Sequence, residues 1–503
     1  MEYLKTSWFI LLLARLRDWL AGCFRGGLFW RFAMWCWAAF KNGFFYRFAV
    51  GGEKADSLWR GSLCYRALSW LIGLPARIAR AVCSAGAVQS SFLAGQTLDF
   101  AVRRAALFCG AAAVLMLVIP QEMWDNKYSL ALGLCACALT VLSRAASGGR
   151  SALREIGFFP VLFALCTFLG LVLSTRPDMS LRFFVFGVTC MLFVLAVAGA
   201  PRSPRELGNI VFLASLGMFV CSCWAIVQRL IGVESNGILT DLSLNADMPG
   251  RVYSFFENPN SFANVLVLFL PIMLTMALFE KGGLKKLWYL AVFAAGAAAL
   301  LMTYARGGWL SIAASLGVML LALGPRWTPL CVIGAAAAVP FLPDNILNRI
   351  LSMFAGGDSS IYTRTYIYTA MRRLIENHPL FGVGLGADAV RNAVYAEHVY
   401  DAEALFIHGH NIYLQIWAEM GVFALIAFVC AMAFAVRAGL QLRSDSDATL
   451  RAVGVGAACA LCGSMVFGLT DYAWSYPRVM VLFWFVFALI PAAVRLKNIR
   501  EAR

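Results

Sequence analysis

The sequence predicts an all-α fold: a polytopic transmembrane helical bundle of about 12 spans with a large extracytoplasmic helical loop. Hydrophobic residues make up 61% of the 503 residues, and the mean hydropathy is +0.74. Only 14% of residues are charged, against about a quarter in soluble domains. The charges are grouped between apolar runs close to the roughly 20 residues that cross a bilayer as helix. These runs lack the alternation of a membrane β-barrel, so helix is the expected spanning form.

Residues 1–104 form the first predicted unit, a cytoplasmic or interfacial basic and aromatic extension. They contain 14 basic and 5 acidic residues, so 14 − 5 = +9 of the net charge of +15 lies here. Between residues 28 and 50, aromatic and basic side chains interleave at helical spacing, which is typical of helices in the membrane interface. We interpret the unit as a surface anchor or regulatory extension. The alternative is that one stretch of it crosses the membrane.

Residues 105–503 form the second predicted unit, the transmembrane domain. Its twelve predicted spans are 105–120, 128–143, 157–174, 181–199, 207–231, 260–279, 287–303, 308–324, 327–343, 411–436, 452–470 and 479–494. With the N-terminus inside, every inner loop carries arginine or lysine, as the positive-inside rule requires. We therefore expect a multi-pass protein of the cytoplasmic membrane with both termini cytoplasmic. The same rule explains the basic charge without a nucleic-acid partner.

The largest predicted outer loop covers residues 344–410 and is too long for a simple connection. Ile361 to Asn377 has helical apolar spacing, and Pro379 with the following glycines predicts the end of that helix. We expect this loop to be a small extracytoplasmic subdomain. A shorter outer loop runs from about 232 to 259.

All four histidines fall inside the large loop: His378, His398, His408 and His410. Such clustering on one membrane side predicts a site there. A metal site is not expected, because two histidines at i and i+2 are poorly spaced for ligands on a helix and no cysteine is nearby. Most of the 15 cysteines lie within predicted spans and are interpreted as small apolar residues.

Two arginines at the predicted outer face, Arg306 and Arg364, are candidates for phosphate recognition, since guanidinium binds phosphate in a bidentate manner. Arg306 lies in a short outer turn, where a positive charge breaks the positive-inside pattern. Arg364 is near the start of the loop helix, and Arg251 precedes the sixth span. Asn260 and Ser261 are expected to cap that span after Pro259. Asp471 and Arg478 could pair with each other or with the site, and we rank both low.

Together these residues resemble the O-antigen ligase and polymerase family. The resemblance covers roughly residues 200–490 and rests on several short motifs in the same order and on the same predicted membrane side. The motifs are Arg251 to Asn260 with Pro259-Asn260, Arg306-Gly307-Gly308, His378-Pro379-Leu380-Phe381-Gly382-Val383-Gly384, and His410-Asn411 with Gly421. Two positions depart from the family pattern. Ala424 stands where Gly, Thr or Tyr is usual, and Tyr368 stands where the family often has Trp.

The resemblance implies a GT-C-like membrane glycosyltransferase that moves a glycan from undecaprenyl diphosphate to an acceptor on the outer face of the cytoplasmic membrane. The acceptor is lipid A core in ligases or another lipid-linked glycan in polymerases. The departure at Ala424 favours a polymerase or capsule-type transfer. The resemblance further implies that residues 344–410 form the catalytic loop, with His410 as general base, Arg306, Arg364, Arg251 and Asn411 on the substrate, and no metal or other cofactor. Asn411 is then also expected to cap the tenth span.

A transporter or flippase of lipid-linked glycans is the alternative function. Twelve spans would fit that class. Against it, no charged residue is expected to be buried mid-span in the twelve predicted spans, and the notable residues lie at the outer face, whereas transporter sites lie near the midplane.

Overall fold

The structure is a computed structural model that describes residues 8–27, 31, 35, 38, 57–84, 92–147, 151–233, 250–341, 343–351, 359–402 and 405–502. Within these residues the regular elements are helices, and no strand occurs. The α-helices are α1 Trp8–Gly26, α2 Leu63–Ser84, α3 Phe92–Val118, α4 Asn126–Ser147, α5 Leu153–Ile156, α6 Phe158–Val172, α7 Pro177–Gly199, α8 Pro204–Ile231, α9 Pro259–Phe279, α10 Gly283–Met302, α11 Arg306–Leu323, α12 Thr328–Ala338, α13 Asp344–Leu351, α14 Ser359–Asn377, α15 Gly386–Ala396, α16 Ile412–Gln441, α17 Ala448–Phe467 and α18 Pro477–Glu501.

The predicted membrane bundle is confirmed. Ten of the described helices are long and apolar enough to cross a membrane, so this is a membrane protein. A helix lies at each of the twelve predicted spans. The third and ninth predicted spans correspond to α6 and α12, which have only 15 and 11 residues. At about 1.5 Å per residue, both are shorter than the roughly 30 Å hydrocarbon core.

The centre of the bundle is formed by α9, α17 and α18. The side chains of α18 are buried along most of its length, including Trp484, Phe485 and Phe487. Small residues on α17 allow close helix approach, because a Cβ added at Gly456 would lie 2.7 Å from the Ile272 backbone of α9.

The large loop has its own core, as the helical prediction for residues 361–377 required. Buried residues of α14 and α15 pack against one another and against the chain just before α16. Ile367, Leu374, Val390 and Phe406 are its buried members at the centre. This small subdomain sits on the end of the bundle where α16 begins.

A kink in α16 joins the loop to the bundle. Gly421 has φ of 81°, inside the helix, and a Cβ there would lie 1.8 Å from the Leu380 carbonyl oxygen. The Val422 N–H donates to the Pro379 carbonyl, and the Val383 N–H donates to the Ala418 carbonyl at 2.8 Å. Only glycine tolerates both the backbone angle and the close approach. The chain after α14 therefore lies directly across the kink.

The N-terminal extension contacts the opposite end of the bundle. The Arg17 guanidinium of α1 lies 5.0 Å from the ring centroid of Trp327, in the turn between α11 and α12. Near the start of α2, the Trp59 ring lies 5.2 Å from that of Phe158, the first residue of α6. Near its end, Arg80 donates to the Ala145 carbonyl in the last turn of α4. Helix α3 runs continuously across the predicted boundary at residue 104.

Candidate active site

His410 occupies a strained turn immediately before α16. Its backbone has φ of 43°, in the left-handed region that residues with a Cβ rarely adopt. The turn is held by its neighbours: the Gly409 N–H donates to Gln415 Oε1 at 2.8 Å, and the Tyr368 hydroxyl donates to the His410 carbonyl at 3.1 Å. Strain that is maintained by surrounding bonds is common at functional sites.

Asn411 is the N-cap of α16, as the sequence predicted. Its side-chain oxygen accepts hydrogen bonds from the Tyr413 and Leu414 N–H groups at 2.9 and 3.1 Å. Its amide nitrogen donates to the Leu469 carbonyl at 3.2 Å. These contacts fix the start of α16 beside the chain that follows α17. Substrate binding by Asn411 stays a prediction.

Asp471 pairs with His410, which is the second of the two alternatives expected for it, a pairing with the site. Its Oδ1 lies 3.2 Å from His410 Nδ1, and the two side chains are 11% and 27% exposed. Burial would raise the pKa of Asp471, but the hydrogen bond with His410 and the neighbouring positive charges lower it well below its usual range. Asp471 is therefore a carboxylate able to accept a hydrogen bond from the Nδ1–H of His410, which leaves Nε2 as the ring nitrogen whose lone pair can take a proton.

Arg478 does not pair with Asp471. It is fully buried, donates to the carbonyls of Ile119 and Phe255, and lies 4.4 Å from the Phe256 ring centroid. Its hydrogen bonds go to the backbone of two outer connections, so its visible role is to hold those connections together.

Asn260 extends the site to Arg251. The N-cap of α9 is Asn258, so the expected cap at Asn260 and Ser261 was wrong by two residues. This frees the Asn260 side chain: its amide donates to Asp471 Oδ2 at 2.9 Å, and its oxygen accepts from Arg251 at 2.6 Å. Arg251 also donates to the Thr303 carbonyl at 2.8 Å. A continuous chain of hydrogen bonds therefore runs from Arg251 to His410.

His408 lies beside His410 but is oriented differently. The two ring centroids are 4.1 Å apart, and His408 Nδ1 accepts the His410 backbone N–H at 3.2 Å. Burial, followed by the charge of His410, lowers the pKa of His408 to about 4. His408 is thus a neutral, buried acceptor that supports the turn.

Arg306 is held next to this turn by glycines. It is the first residue of α11, and a Cβ at Gly307 would lie 2.4 Å from the Thr470 hydroxyl. The sequence Arg306-Gly307 therefore lies directly against the segment that carries Asp471. The glycine is needed for this close approach.

Arg364 on α14 completes the predicted arginine set. Its charge is one of the interactions that lower the pKa of Asp471, and it acts in the same direction on the pKa of His408. Burial and then the charges of Arg349, Arg306 and Arg364 lower the pKa of Arg251 to about 10. These four guanidinium groups therefore share one electrostatic environment with Asp471. Arg349, on α13, was missed because nothing in its local sequence distinguishes it from a surface arginine.

Residues 290–429 match the family model described as O-antigen ligase. These residues form an O-antigen ligase domain. The match supports an O-antigen ligase- or polymerase-like family for the chain, as its motifs suggested. No curated protein matches the chain. The matched region contains Arg306, Arg364 and His410, whereas Arg251 and Asp471 lie outside it.

The other two histidines lie away from this site. His378 Nε2 is 2.7 Å from Glu397, and Asn377 donates to the same carboxylate at 2.7 Å. His398 is exposed, with φ of 53°. The motif His378 to Gly384 of the O-antigen ligase domain packs on the kink of α16, which gives it a structural role. Clustering of the four histidines thus located the subdomain, and only two of them belong to the site.

Glu419 is a buried carboxylate inside a membrane helix, which corrects the expectation that no charged residue is buried mid-span. It is 3% exposed and lies about two turns into α16. Gln415 and the Tyr472 hydroxyl donate to its Oε1 at 2.8 and 3.1 Å. Gln415 Oε1 also accepts the Gly409 N–H, so Glu419 supports the His410 turn through its hydrogen bond with Gln415.

An apolar cavity of about 320 Å³ lies beside Glu419, between α6, α7, α16 and α18. Tyr472 and Glu419 are among its lining residues. The rest of the wall is apolar, with Phe168, Phe184 and Val188 from the faces of α6 and α7. Tyr472 lines the cavity and directly follows Asp471, so the cavity extends to the neighbour of Asp471 in the chain.

A metal ion is a further possibility for the histidine pair. His408, His410 and Asp471 each offer a ligand atom, and these atoms lie within 4.8 Å of one another. Two observations oppose a cation: Nδ1 of His408 already accepts a backbone N–H, and the charge of Arg364 acts on both His408 and Asp471.

Proposed function

We propose that the protein transfers a glycan from undecaprenyl diphosphate to an acceptor hydroxyl on the outer face of the cytoplasmic membrane, with His410 as general base. The observation that carries the proposal is the pair of His410 and Asp471 at 3.2 Å, surrounded by arginines at one end of a membrane bundle. The family match gives the membrane O-antigen ligase or polymerase class.

In the proposed step, the acceptor oxygen attacks the anomeric carbon while its proton passes to Nε2 of His410. The bond between the anomeric carbon and the phosphate oxygen breaks, and its electron pair remains on the diphosphate. Asp471 holds the tautomer of His410 and stabilises the imidazolium that forms, as carboxylates do for catalytic histidines. A positioned general base contributes roughly 100- to 10,000-fold.

Arg306, Arg364 and Arg251 are the proposed diphosphate ligands. Arg306 and Arg364 lie on two different elements, α11 and α14, and both act electrostatically on Arg251. Planar guanidinium groups stabilise charge that develops on a phosphate oxygen, which is the leaving group here. Arg251 is largely committed to Asn260 and Thr303, so its contribution is mainly to orient Asn260 and Asp471.

The apolar cavity supports a lipid-linked substrate. A polyprenyl chain needs a path from the bilayer to the diphosphate site. The cavity offers hydrocarbon contact up to Tyr472, whose N–H donates to Asp471 at 2.8 Å. We place the first prenyl units of the carrier there. No metal takes part in this proposal, because the arginines neutralise the diphosphate.

One experiment separates the acceptor classes. Membranes that contain the protein are incubated with an oligosaccharide on undecaprenyl diphosphate, either alone or with lipid A core. A ladder of longer glycans from the donor alone indicates a polymerase. Product only with lipid A core indicates a ligase. Turnover should persist in EDTA, and the absence of any product under all conditions would contradict glycan transfer.

The buried Glu419 is one observation in favour of the transporter alternative, because ionisable residues inside membrane spans often mark transport pathways. Its hydrogen bonds to Gln415 and Tyr472 favour the supporting role instead. Movement of a fluorescent lipid-linked glycan across reconstituted vesicles, unchanged by His410→Ala and without any product, would favour the transporter.

The proposed orientation is tested by labelling. Both termini are placed in the cytoplasm and residues 344–410 outside, from the basic inner loops. In a cysteine-depleted background, Asp388→Cys should react with an impermeant maleimide in intact spheroplasts, and Lys285→Cys should not. Both positions are exposed in the structure, so accessibility to the reagent depends on membrane side. The reverse labelling pattern would overturn the mechanism as well.

A further inference from the structure

A second cavity, of about 330 Å³, lies at the end of the bundle opposite to His410. It is formed where α6 begins, where α16 ends and where residues 487–498 of α18 lie. The proposed glycan transfer does not use it. Its lining combines two kinds of surface that rarely occur together on a soluble protein.

The first surface is basic. Arg60, Arg154 and Arg437 line the cavity, with Glu155 as the carboxylate among its lining residues. Asn498 donates to Glu155 at 3.4 Å, and burial raises the pKa of this carboxyl. Helix α6 begins at Phe158 with no side-chain cap, so the partial positive charge of its N-terminus adds to that of the arginines. The electrostatic potential of the cavity therefore favours an anion.

The second surface is apolar and continues toward the membrane. Phe159 and Phe434 stack at 5.0 Å and form part of the wall, together with Phe487, Ile490 and Val494 of α18. A free phosphate or another small anion would gain nothing from contact with this apolar wall. A molecule with a charged head group and hydrocarbon chains would contact both surfaces.

The N-terminal extension closes one side of the cavity. Arg60 comes from this extension, and the neighbouring Trp59 packs on Phe158 at 5.2 Å. Helix α2 then follows the same end of the bundle to Arg80, which donates to the last carbonyls of α4. Exposed apolar side chains on α2 include Leu63, Trp70 and Ile78, so the helix is suited to the membrane interface.

We propose that this cavity binds the anionic head group of a phospholipid in the leaflet opposite to the His410 site, with Arg60, Arg154 and Arg437 on the phosphate and the phenylalanines on its acyl chains. Basic pockets between membrane helices are known to hold anionic head groups. The bound lipid links the N-terminal extension to α6, α16 and α18, which gives the extension a binding role separate from glycan transfer.

The test is lipid binding by the full chain in a zwitterionic detergent, measured by native mass spectrometry and by the thermal unfolding midpoint. The probes are dioleoyl phosphatidylglycerol and dioleoyl phosphatidylcholine. The pocket variant is Arg154→Gln/Arg437→Gln. Its matched control is Arg205→Gln/Arg443→Gln, which removes two exposed positive charges from the same end of the bundle outside the cavity.

We expect phosphatidylglycerol to bind the wild type and to raise its midpoint, with phosphatidylcholine much weaker. Each lost arginine should weaken affinity about fivefold, or about 25-fold for the pair. The control should change by less than about twofold, because charges outside the cavity add little to a contact within it. Arg154→Lys/Arg437→Lys retains the charge and should keep most of the affinity, which separates a folding defect from a lost site.

Three results would overturn the proposal. Equal weakening by the pocket and control pairs would mean diffuse attraction to a basic face. Equal affinity for phosphatidylcholine would remove the role of the arginines. Full competition by millimolar inorganic phosphate would mean that the cavity takes a small anion without the chains.

Discussion

Arginines at both ends of the bundle form hydrogen bonds to other parts of the protein, but the two ends differ in the partners of these arginines. At the far end, Arg495 donates to the carbonyls of Ala198, Gly199 and Pro201, the last turn of α7 and the chain after it. Arg500 makes two bonds of 2.9 Å to Asp445, whose side chain is 1% exposed. Both arginines thus hold helix ends in place.

At the His410 end, the only buried carboxylate in contact with the base, within the described residues, is Asp471. His410 and Asn260 bond to it, and Arg251 reaches it only through Asn260. Arg306 and Arg364 act on this group of residues by charge from separate helices. The comparison teaches that an arginine whose bonds end on backbone carbonyls or a dedicated carboxylate is structural. Arginines gathered around a histidine and carboxylate pair are suited to a ligand.

The largest expected effect is that of His410→Ala. If His410 is the base, glycan transfer should fall roughly 100- to 10,000-fold at equal protein level, because proton removal from the acceptor is lost. The measurement is initial rate with a lipid-linked donor. His398→Ala is the matched control, since that histidine is exposed in the same subdomain. Retention of more than about a tenth of wild-type turnover would exclude His410 as the base.

Replacing Arg306 and Arg364 by lysine should have the next largest effect. Lysine keeps the charge and loses the planar fork, so each change should cost on the order of 100-fold in rate if the arginines bind developing phosphate charge. Arg500→Lys, at the far end, is the control and should leave the rate near that of the wild type. Near-normal transfer by the double lysine variant would exclude Arg306 and Arg364 as the diphosphate ligands.

Asp471→Asn should have a smaller effect than loss of His410, because it leaves the base present. We expect a rate reduction below the roughly 100- to 10,000-fold attributed to the base itself, through loss of the tautomer and of imidazolium stabilisation. The comparison is Asp445→Asn, which removes a carboxylate from the far end. That variant should lose some stability and keep its rate at equal folded protein. Equal rates for the two variants would contradict the pairing role of Asp471.

The sequence was sufficient for the membrane fold because hydropathy and basic loops depend on local composition alone. It also located the His410 turn and the Asn411 cap, since both depend on neighbouring residues. Asp471 was underestimated because its partner lies 61 positions away and is brought near by the packing of α16 on α17. Glu419 was missed for a similar reason: a carboxylate in an apolar run is explained only when Gln415 and Tyr472 are seen to bond to it.

The smallest expected effect concerns stability and involves His408. Burial lowers its pKa to about 4 from the usual 6.5, so the folded state disfavours the charged form. Between pH 6.5 and about 4 the unfolded chain binds this proton and the folded chain does not. The folded state therefore loses stability relative to the unfolded chain as the pH falls from 6.5 toward 4. Above pH 6.5 His408 is neutral in both states and causes no loss. The cost of charging buried His408 in the folded state is on the order of 3 kcal/mol.

The prediction is checked by the thermal unfolding midpoint of purified protein at several pH values from 7 to 4. The wild type should lose stability across this window, and His408→Asn should lose less, whatever its midpoint at pH 7. Titration of Asp471 falls below pH 3.8, outside the window, because its pKa is lowered. His398→Asn should retain the wild-type slope, since its side chain is exposed in the structure. An unchanged slope in His408→Asn would show that this buried histidine does not set the acid sensitivity of the His410 end.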